Sequence, residues 1–491
     1  MPMLQPFVRK ALLLAGAVAL ATGPTLTAPA TASTTDPVPH PKPPAAAPEM
    51  PEELVVDAPT LPGVTARCAW PLLATAENLN VAFPDTSSSC WVIPYRFTPG
   101  MKLTVKGTFA QARFFSLSTY DNQFSPVTGG PDSLYDARLQ PDDGAQNPYV
   151  VPGASYDATY TVTITADGTE GPNPLRAVPP DGNGTGYLIF RVYIPTDPDE
   201  PAGTPALPTV SVTGAGGVPA LLPPCPNPGG NTVVNSLLTA FVYAVAPGPY
   251  PDLWAEPLFA HQPPQYEAGL FPNSFNQYIS SPVTYQARRI VVVRGRGPQF
   301  PNTRNGEPVT GPQDLRYWSM CNNVYAKPYP VTACAADYQT TLDSAGRYTY
   351  VVSTPADRPS NATAANGVTW LAWGTNLVGR PAPRDLLLMR NMLPAPGFSH
   401  AVQNVPPDGL PETARDVMGA YYPEAVYCST TLFQVGGADA CFAQAERPDG
   451  HDGHDGHDGP KHPEHDKSGK PGKPGKPGKP ARPGGSGKAG A

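Results

Sequence analysis

The sequence predicts an all-β protein with two tandem β-sandwich or jelly-roll-like domains, one or two short helices and a disordered tail. Three observations indicate this fold class. The 491 residues include 68 prolines and 47 glycines, about twice the average share of these two residues. Blocks rich in β-branched and aromatic residues are short and end at turn residues, which is typical of strands. The blocks of the first half also recur, in the same order, in the second half.

The N-terminal residues 1–32 predict a secretory signal peptide. A basic stretch precedes the apolar residues 11–20, which are too few to span a bilayer, and residues 30–32 (Ala-Thr-Ala) fit a cleavage site. The Pro- and Ala-rich residues 33–52 predict an extended linker. We therefore expect a secreted, extracellular protein without a membrane span, either free or associated with the cell wall.

An internal repeat predicts the two domains. Phe83-Pro84-Asp85 recurs as Phe271-Pro272-Asn273, and the match continues without a gap as far as a strand-like block in each half. Further matched blocks are 113–117 with 316–320, 160–162 with 348–350, and 188–195 with 387–394. This order indicates tandem duplication.

The repeat sets the expected domain boundaries. We predict one β-sandwich over residues 53–215 and a second over residues 266–445. Residues 216–265 form a connector, in which the apolar run 233–245 predicts a helix that packs between the halves. A second helix is expected over residues 412–421, after a proline.

Seven cysteines in an exported chain predict disulfides. Short spacing favours three pairs, which are Cys68–Cys90, Cys321–Cys334 and Cys428–Cys441. Cys225 is then left over as a buried thiol. No Cys-x-x-Cys motif occurs, so neither a zinc knuckle nor a redox motif is indicated.

Two aromatic strands carry a family resemblance. Residues 113–122 (RFFSLSTYDN) and 316–320 (RYWSM) resemble a strand of a bacterial family defined by a domain of unknown function, as do residues 343–353 and 386–396. Over about residues 53–445 the chain is similar to uncharacterised, secreted, Pro-rich proteins of actinobacteria. The resemblance implies a jelly-roll-like sandwich and carries no established activity. The second copy departs from the pattern, because Asn-Val-Tyr replaces Tyr-Asp-Asn after the strand.

Few residues suggest catalysis. His261 lies between Glu256 and Glu267 in the connector, and Asp121 ends an aromatic strand of the first copy only. A general acid and base could be drawn from this set, but each residue also suits a turn or a packed loop. A secreted hydrolase acting on polysaccharide or a small molecule is therefore an alternative hypothesis, and the sequence leans away from an enzyme.

Trp370 and Trp373 are candidate ligand-binding residues. Exposed Trp rings stack on sugars, whereas in a sandwich they are as often part of the core. The sequence leaves both interpretations open.

The tail, residues 446–491, combines two charge patterns. Its first part repeats His-Asp-Gly and contains five candidate ligands for Zn, Ni or Cu, namely His451, His454, His457, His462 and His465. Its second part repeats Gly-Lys-Pro and carries seven basic residues without an acid from residue 467 onwards. Evenly spaced lysines suit a polyanion, such as a cell-wall polymer or anionic glycan. Nucleic acid is not expected, because the protein is exported.

These patterns support three functional hypotheses. The first is an exported, non-catalytic protein that binds or scaffolds at the cell envelope and is retained there by its basic tail. The second is the secreted enzyme described above, and the third is an extracytoplasmic metal-binding protein that acts through its His/Asp tail. The sequence does not indicate the oligomeric state.

Overall fold

The computed structural model describes most of the region between the linker and the tail. The described residues are 56–57, 65–66, 68–179, 184–214, 219–230, 232–249, 255–263 and 270–446. The predicted signal peptide, the linker and all but the first residue of the tail lie outside them. Within the described residues, strands dominate and form two β-sandwiches, which confirms the predicted all-β class.

The first sandwich consists of two five-stranded sheets, preceded by the short pair β1 (Val56–Asp57) and β2 (Thr65–Ala66). The first sheet has the order β3 (Leu72–Ala74), β4 (Ser88–Arg96), β10 (Thr185–Pro195), β6 (Ala112–Asp121) and β7 (Ser133–Tyr135). The second has the order β12 (Pro219–Leu221), β11 (Thr209–Thr213), β5 (Lys102–Thr108), β8 (Thr159–Thr165) and β9 (Pro174–Arg176). Apolar side chains such as Phe115, Leu188 and Val162 fill the space between these sheets.

The second sandwich consists of two four-stranded sheets. One has the order β13 (Asn276–Thr284), β19 (Arg384–Pro394), β15 (Leu315–Val324) and β16 (Val331–Ala336). The other has the order β18 (Thr369–Ala372), β17 (Arg347–Ser353), β14 (Arg289–Arg296) and β20 (Glu424–Ser429). Its core includes Trp318, Met389 and Tyr350.

The two sandwiches share one topology. The order β4-β10-β6-β7 in the first copy corresponds to β13-β19-β15-β16 in the second, and β11-β5-β8-β9 corresponds to β20-β14-β17-β18. All pairings are antiparallel except two, β8 with β9 and β17 with β18, which occupy equivalent positions. The strands β3 and β12 are additions of the first copy. Each copy of the sequence repeat therefore folds into the same arrangement.

The sheets that contain β6 and β15 pack against each other at the centre of the molecule. Phe114 and Tyr193 of the first sandwich form a single apolar cluster with Tyr317 and Met392 of the second. The strands of these inner sheets are thus buried on both faces, and β6 and β15 are buried along almost their whole length. This double burial explains why their sequences lack the strict alternation of a half-exposed strand.

Three α-helices accompany the sandwiches in the described chain, and none is long and apolar enough to cross a membrane. Helix α1 (Thr232–Val245) lies in the connector, and its residues Leu238 and Val242 contact one sandwich each. Helix α2 (Pro411–Met418) begins at a proline. The sequence analysis missed helix α3 (Thr430–Ala445), which covers the outer sheet of the second sandwich, because Gly437 interrupts its helical pattern with a φ of 64°.

The disulfides correct one sequence prediction. Cys321–Cys334 and Cys428–Cys441 are present, but the predicted Cys68–Cys90 pair is wrong. Cys68 instead pairs with Cys225, 157 residues away. The backbone accounts for this, since Ala69 exchanges hydrogen bonds with Pro223 and Cys225, which brings the two ends of the first sandwich together. Cys90, not Cys225, is the free thiol.

Two reciprocal ion pairs join the inner sheets. Arg113 of β6 contacts Asp337 of the second sandwich at 2.5 Å, and Arg316 of β15 contacts Asp136 of the first at 3.1 Å. Each carboxylate also accepts a hydrogen bond from a backbone amide of its own sandwich. Asp136 accepts from Phe115, and Asp337 accepts from Trp318. All four charged side chains are buried. Each sandwich therefore holds an acid in place for the arginine of the other.

Breaking one of these pairs should strongly destabilise the protein. Arg113→Met leaves Asp337 as a buried carboxylate without its cation, and we expect a loss of about 3–5 kcal/mol in the free energy of unfolding. The double variant Arg113→Met/Asp337→Asn should recover part of this loss, because the amide keeps an acceptor for the backbone. Urea unfolding measures both.

The exposed pair Arg347–Asp343 provides the matched control. Arg347→Met should cost less than about 1 kcal/mol, since water screens surface pairs. Equal losses for Arg113→Met and Arg347→Met would contradict the structural importance of the buried pair.

Asp385 is a buried acid of a different kind. Its Oδ2 accepts hydrogen bonds from the Gly374 amide and the Asn322 side chain, both at 2.6 Å. Burial raises the pKa of Asp385 to about 7, although these two hydrogen bonds act in the opposite direction. The folded protein therefore holds a proton on Asp385 at a pH where the unfolded chain, with a pKa of about 3.9, has lost it.

This raised pKa predicts a pH dependence of stability. Between about pH 4 and pH 7 Asp385 keeps a proton in the folded state that it loses in the unfolded state, so its contribution to the free energy of unfolding should fall as pH rises. Asp385→Asn removes the titration and should reduce this fall by up to about 1.4 kcal/mol per pH unit. Urea unfolding at several pH values compares the variant with wild type and with Asp416→Asn, a control at an exposed position of α2. A slope unchanged by Asp385→Asn would disprove the assignment.

Candidate ligand-binding site

A cavity of about 320 Å³ lies between the two inner sheets, beside helix α1. Both sandwiches and the helix contribute to its lining. The apolar lining includes Leu72, Val92, Ile189, Leu238, Phe241, Val242, Leu386 and Leu388. Half of these are side chains that strands β4, β10 and β19 direct away from their own sandwich cores, and three others come from α1, so the cavity is a consequence of the inner sheets facing each other beside the helix.

The polar part of the cavity contains two buried arginines at equivalent positions of the repeat. Arg390 of β19 contacts the carboxylate of Asp85 and donates to Ser319 Oγ at 3.0 Å. Asp85 Oδ2 also accepts from Tyr317 Oη at 2.7 Å and from Ser319 Oγ at 3.0 Å. The charge of Arg390 is therefore balanced, and its carboxylate partner is fully hydrogen-bonded.

Arg191 of β10 has a different environment. Its guanidinium donates to the backbone oxygen of Phe271 at 3.2 Å and to Tyr120 Oη at 3.4 Å. It forms no ion pair within the part of the chain that the structure describes. Arg191 is only 6% exposed, so its permanent charge is buried at the cavity without a carboxylate.

Cys90 lines the same cavity and lies directly opposite Arg191 in the pairing of β4 with β10. Its thiol is half-buried and the other six cysteines form disulfides. Nearby, Asp85 approaches Cys321 and Cys334 closely enough to suggest a metal site. Since these two sulfurs are bonded to each other, they have no thiolate to offer a metal.

Two of the catalytic candidates, Asp121 and His261, form hydrogen bonds to the backbone. Asp121 Oδ1 accepts the backbone amides of Gln123 and Ser125 and so closes the turn after β6. His261 is buried, and its Nδ1 lies 2.6 Å from the Val405 carbonyl oxygen. Glu256 is exposed, and Glu267 lies outside the described residues.

Trp370 and Trp373 do not form an open stacking surface. Trp373 is buried and donates from Nε1 to the Ala382 carbonyl at 2.9 Å. Trp370 is half-buried, and the Arg358 guanidinium covers its ring at 4.5 Å. Trp373 thus belongs to the core, and Trp370 packs against the edge of an apolar cluster. The histidines of the tail lie beyond the described residues, and their metal binding stays a prediction.

Sequence analysis missed the cavity residues, although the repeat contained the signal. Aligned copies place Arg191 with Arg390 and Asp85 with Asn273. Arg390 meets the acid Asp85 of the other copy, whereas the residue equivalent to Asp85 on the side of Arg191 is the amide Asn273. Only the three-dimensional arrangement shows that these four residues line one cavity.

Comparisons with known proteins do not identify a family. No family model matches the chain, and no curated protein is significantly similar to it. Among solved structures, an uncharacterised protein from Burkholderia cenocepacia is similar at 13% identity, over 74% of this chain and 82% of that one, with a TM-score of 0.42. The VPA0106 protein from Vibrio parahaemolyticus is similar at 10% identity, over 70% and 90%, with a TM-score of 0.36. Similarity at this level does not assign the chain to a family, and the actinobacterial resemblance stays a prediction.

Proposed function

We propose that this protein is an exported, non-catalytic binding protein of the cell envelope, which takes an apolar ligand into the cavity between its sandwiches and is retained by its basic tail. The cavity is the observation that carries this proposal. Ligand sites favour concave, mostly apolar surfaces at domain interfaces, with a few polar groups that orient the ligand. The cavity has these properties, and its volume is at the lower end of the usual range of about 300–1,000 Å³.

The disulfides support an extracytoplasmic location. Three disulfides connect residues of the described chain, and such bonds persist in oxidising compartments. The predicted signal peptide agrees with this location. Retention at the wall depends on the tail, whose lysines would bind anionic polymers electrostatically.

A binding role fits the site better than the hydrolase alternative. A general acid or base must lie within hydrogen-bond reach of a bound substrate. Asp121 and His261 have intramolecular partners in a turn and a packed loop, and neither lines the cavity.

Filling the cavity should block ligand uptake. Wild-type protein should bind decanol, a neutral apolar probe, with the negative heat-capacity change expected for burial of apolar surface. Leu238→Trp places a large ring on the face of α1 that lines the cavity, and should weaken binding roughly tenfold or more, equivalent to a loss of about 1.4 kcal/mol. Isothermal titration calorimetry at several temperatures measures the affinity and heat capacity.

The neighbouring Leu237 provides the control, since it is 43% exposed on the same helix. Leu237→Trp should bind decanol as wild type does. Thermal unfolding of both variants separates a blocked cavity from a lost fold. The cavity proposal fails if wild type does not bind decanol, or if the two folded variants bind it equally well.

Removing the tail should abolish wall retention. Protein lacking residues 446–491 should no longer sediment with isolated cell walls at low salt, whereas the full mature chain should sediment and be released as salt rises. A full-length variant with glutamine at the seven basic positions from residue 467 onwards tests whether charge is the cause. Equal sedimentation of all three proteins would instead place wall recognition in the sandwiches.

A further inference from the structure

Arg191 and Arg390 occupy equivalent sites that differ in one feature. Each guanidinium donates to the backbone oxygen of a phenylalanine from the other repeat, Arg390 to Phe83 at 3.4 Å and Arg191 to Phe271 at 3.2 Å. Both phenylalanines adopt the left-handed backbone conformation, with φ of 59° and 55°. The two arginines are therefore held in the same way, each across the interface between the sandwiches.

The difference lies in Asp85 and its counterpart Asn273. Both side chains form the same local turn, in which Asp85 Oδ1 accepts the Ser87 amide at 2.9 Å and Asn273 Oδ1 accepts the Phe275 amide at 3.2 Å. The second oxygen of Asp85 receives Arg390. Asn273 has an NH₂ group in its place, and this buried Nδ2 has no hydrogen-bond partner among the residues that the structure describes.

The residue beside each arginine shows the same asymmetry. Ser319 lies opposite Arg390 in the sheet and donates to Asp85. Ser116 lies opposite Arg191, and its buried Oγ has no hydrogen-bond partner in the described part of the chain. Around Arg191 there are thus a permanent cation, an amide donor and a hydroxyl donor, while the carboxylate of the equivalent site has no counterpart in the described chain. A buried charge and buried donors of this kind are costly unless they are satisfied.

We propose that the carboxylate of a single-chain apolar acid binds at Arg191, with its head near Asn273 Nδ2 and Ser116 Oγ and its chain along the apolar lining of the cavity. The equivalent site provides the template, because there the protein's own carboxylate, Asp85, receives a guanidinium and a serine hydroxyl. The inference rests on the proposed function, and it adds the chemical class of the ligand.

The apolar lining and the size of the cavity specify the rest of the ligand. Leu238, Phe241 and Leu270 border the same space as Arg191 and suit a hydrocarbon chain. A volume near the lower end for ligand pockets favours one chain over a diacyl lipid. A fatty acid of medium length combines these properties.

The test compares decanoate, decanol and decylamine, which share one chain and differ in head-group charge. Calorimetry at neutral pH should show decanoate binding roughly tenfold to hundredfold more tightly than decanol, as expected for a charge-assisted hydrogen bond in a buried site. Decylamine should bind most weakly, because its charge repels Arg191. Decanoate should also slow alkylation of Cys90 by iodoacetamide, which reports on the head-group end of the cavity.

Asn273→Asp is the decisive variant, since it offers Arg191 an internal carboxylate equivalent to the one that Asp85 offers Arg390. It should raise the unfolding temperature by pairing with Arg191, and it should remove the preference for decanoate over decanol. Gln444→Glu makes the same amide-to-acid change at an exposed position of α3 and should leave both the unfolding temperature and the preference unchanged.

The outcomes separate the two proposals. Binding of decanol and decanoate with equal affinity overturns the carboxylate proposal and leaves the apolar cavity standing, whereas binding of neither overturns both. Protection of Cys90 by acetate at the same concentration as decanoate would show a site for small anions instead. Binding to phosphatidylserine vesicles without binding to decanoate would overturn the assignment of a single-chain acid.

Discussion

The reciprocal ion pairs between Arg113 and Asp337 and between Arg316 and Asp136 determine how the two sandwiches meet. Each acid is oriented by a backbone amide of its own sandwich, and each arginine crosses to the other. Four buried charges tolerate little displacement, because a separated pair would leave an uncompensated charge away from water. The inner sheets are consequently held face to face in one arrangement, and the cavity exists because of that arrangement.

At this interface the two copies are equivalent in backbone and arginine position but differ in one side chain. Equivalent strands and equivalent backbone contacts place Arg191 and Arg390 in matching positions. Asp85 supplies a carboxylate to one site from within the protein, whereas Asn273 supplies an amide at the other. The two copies thus hold equivalent arginines at one cavity, of which Arg390 is paired with an internal carboxylate and Arg191 is not paired with any acid among the described residues.

Much of the architecture was predictable from local pattern. Pro and Gly content, short β-rich blocks and the ordered repeat indicated two similar β-sandwiches, and the apolar run at 233–245 indicated α1. The pairing of Cys68 with Cys225 was not predictable, because the two residues lie near the beginning and the end of the first domain's sequence. Only the fold brings these two segments side by side. Helix α3 was missed because Gly437 breaks the periodicity on which such predictions depend.

By itself, the sequence determined the class of fold, the duplication and the residues that distinguish the copies, since these depend on composition, spacing and order along the chain. Only the tertiary structure decided which charges meet. Arg113 and Asp337 are 224 residues apart, and Arg390 and Asp85 are 305 apart. The packing of two sheets, each assembled from distant strands, sets such contacts. For the same physical reason the structure alone shows that Arg191 is buried beside an apolar cavity and forms no ion pair with any acid of the described residues.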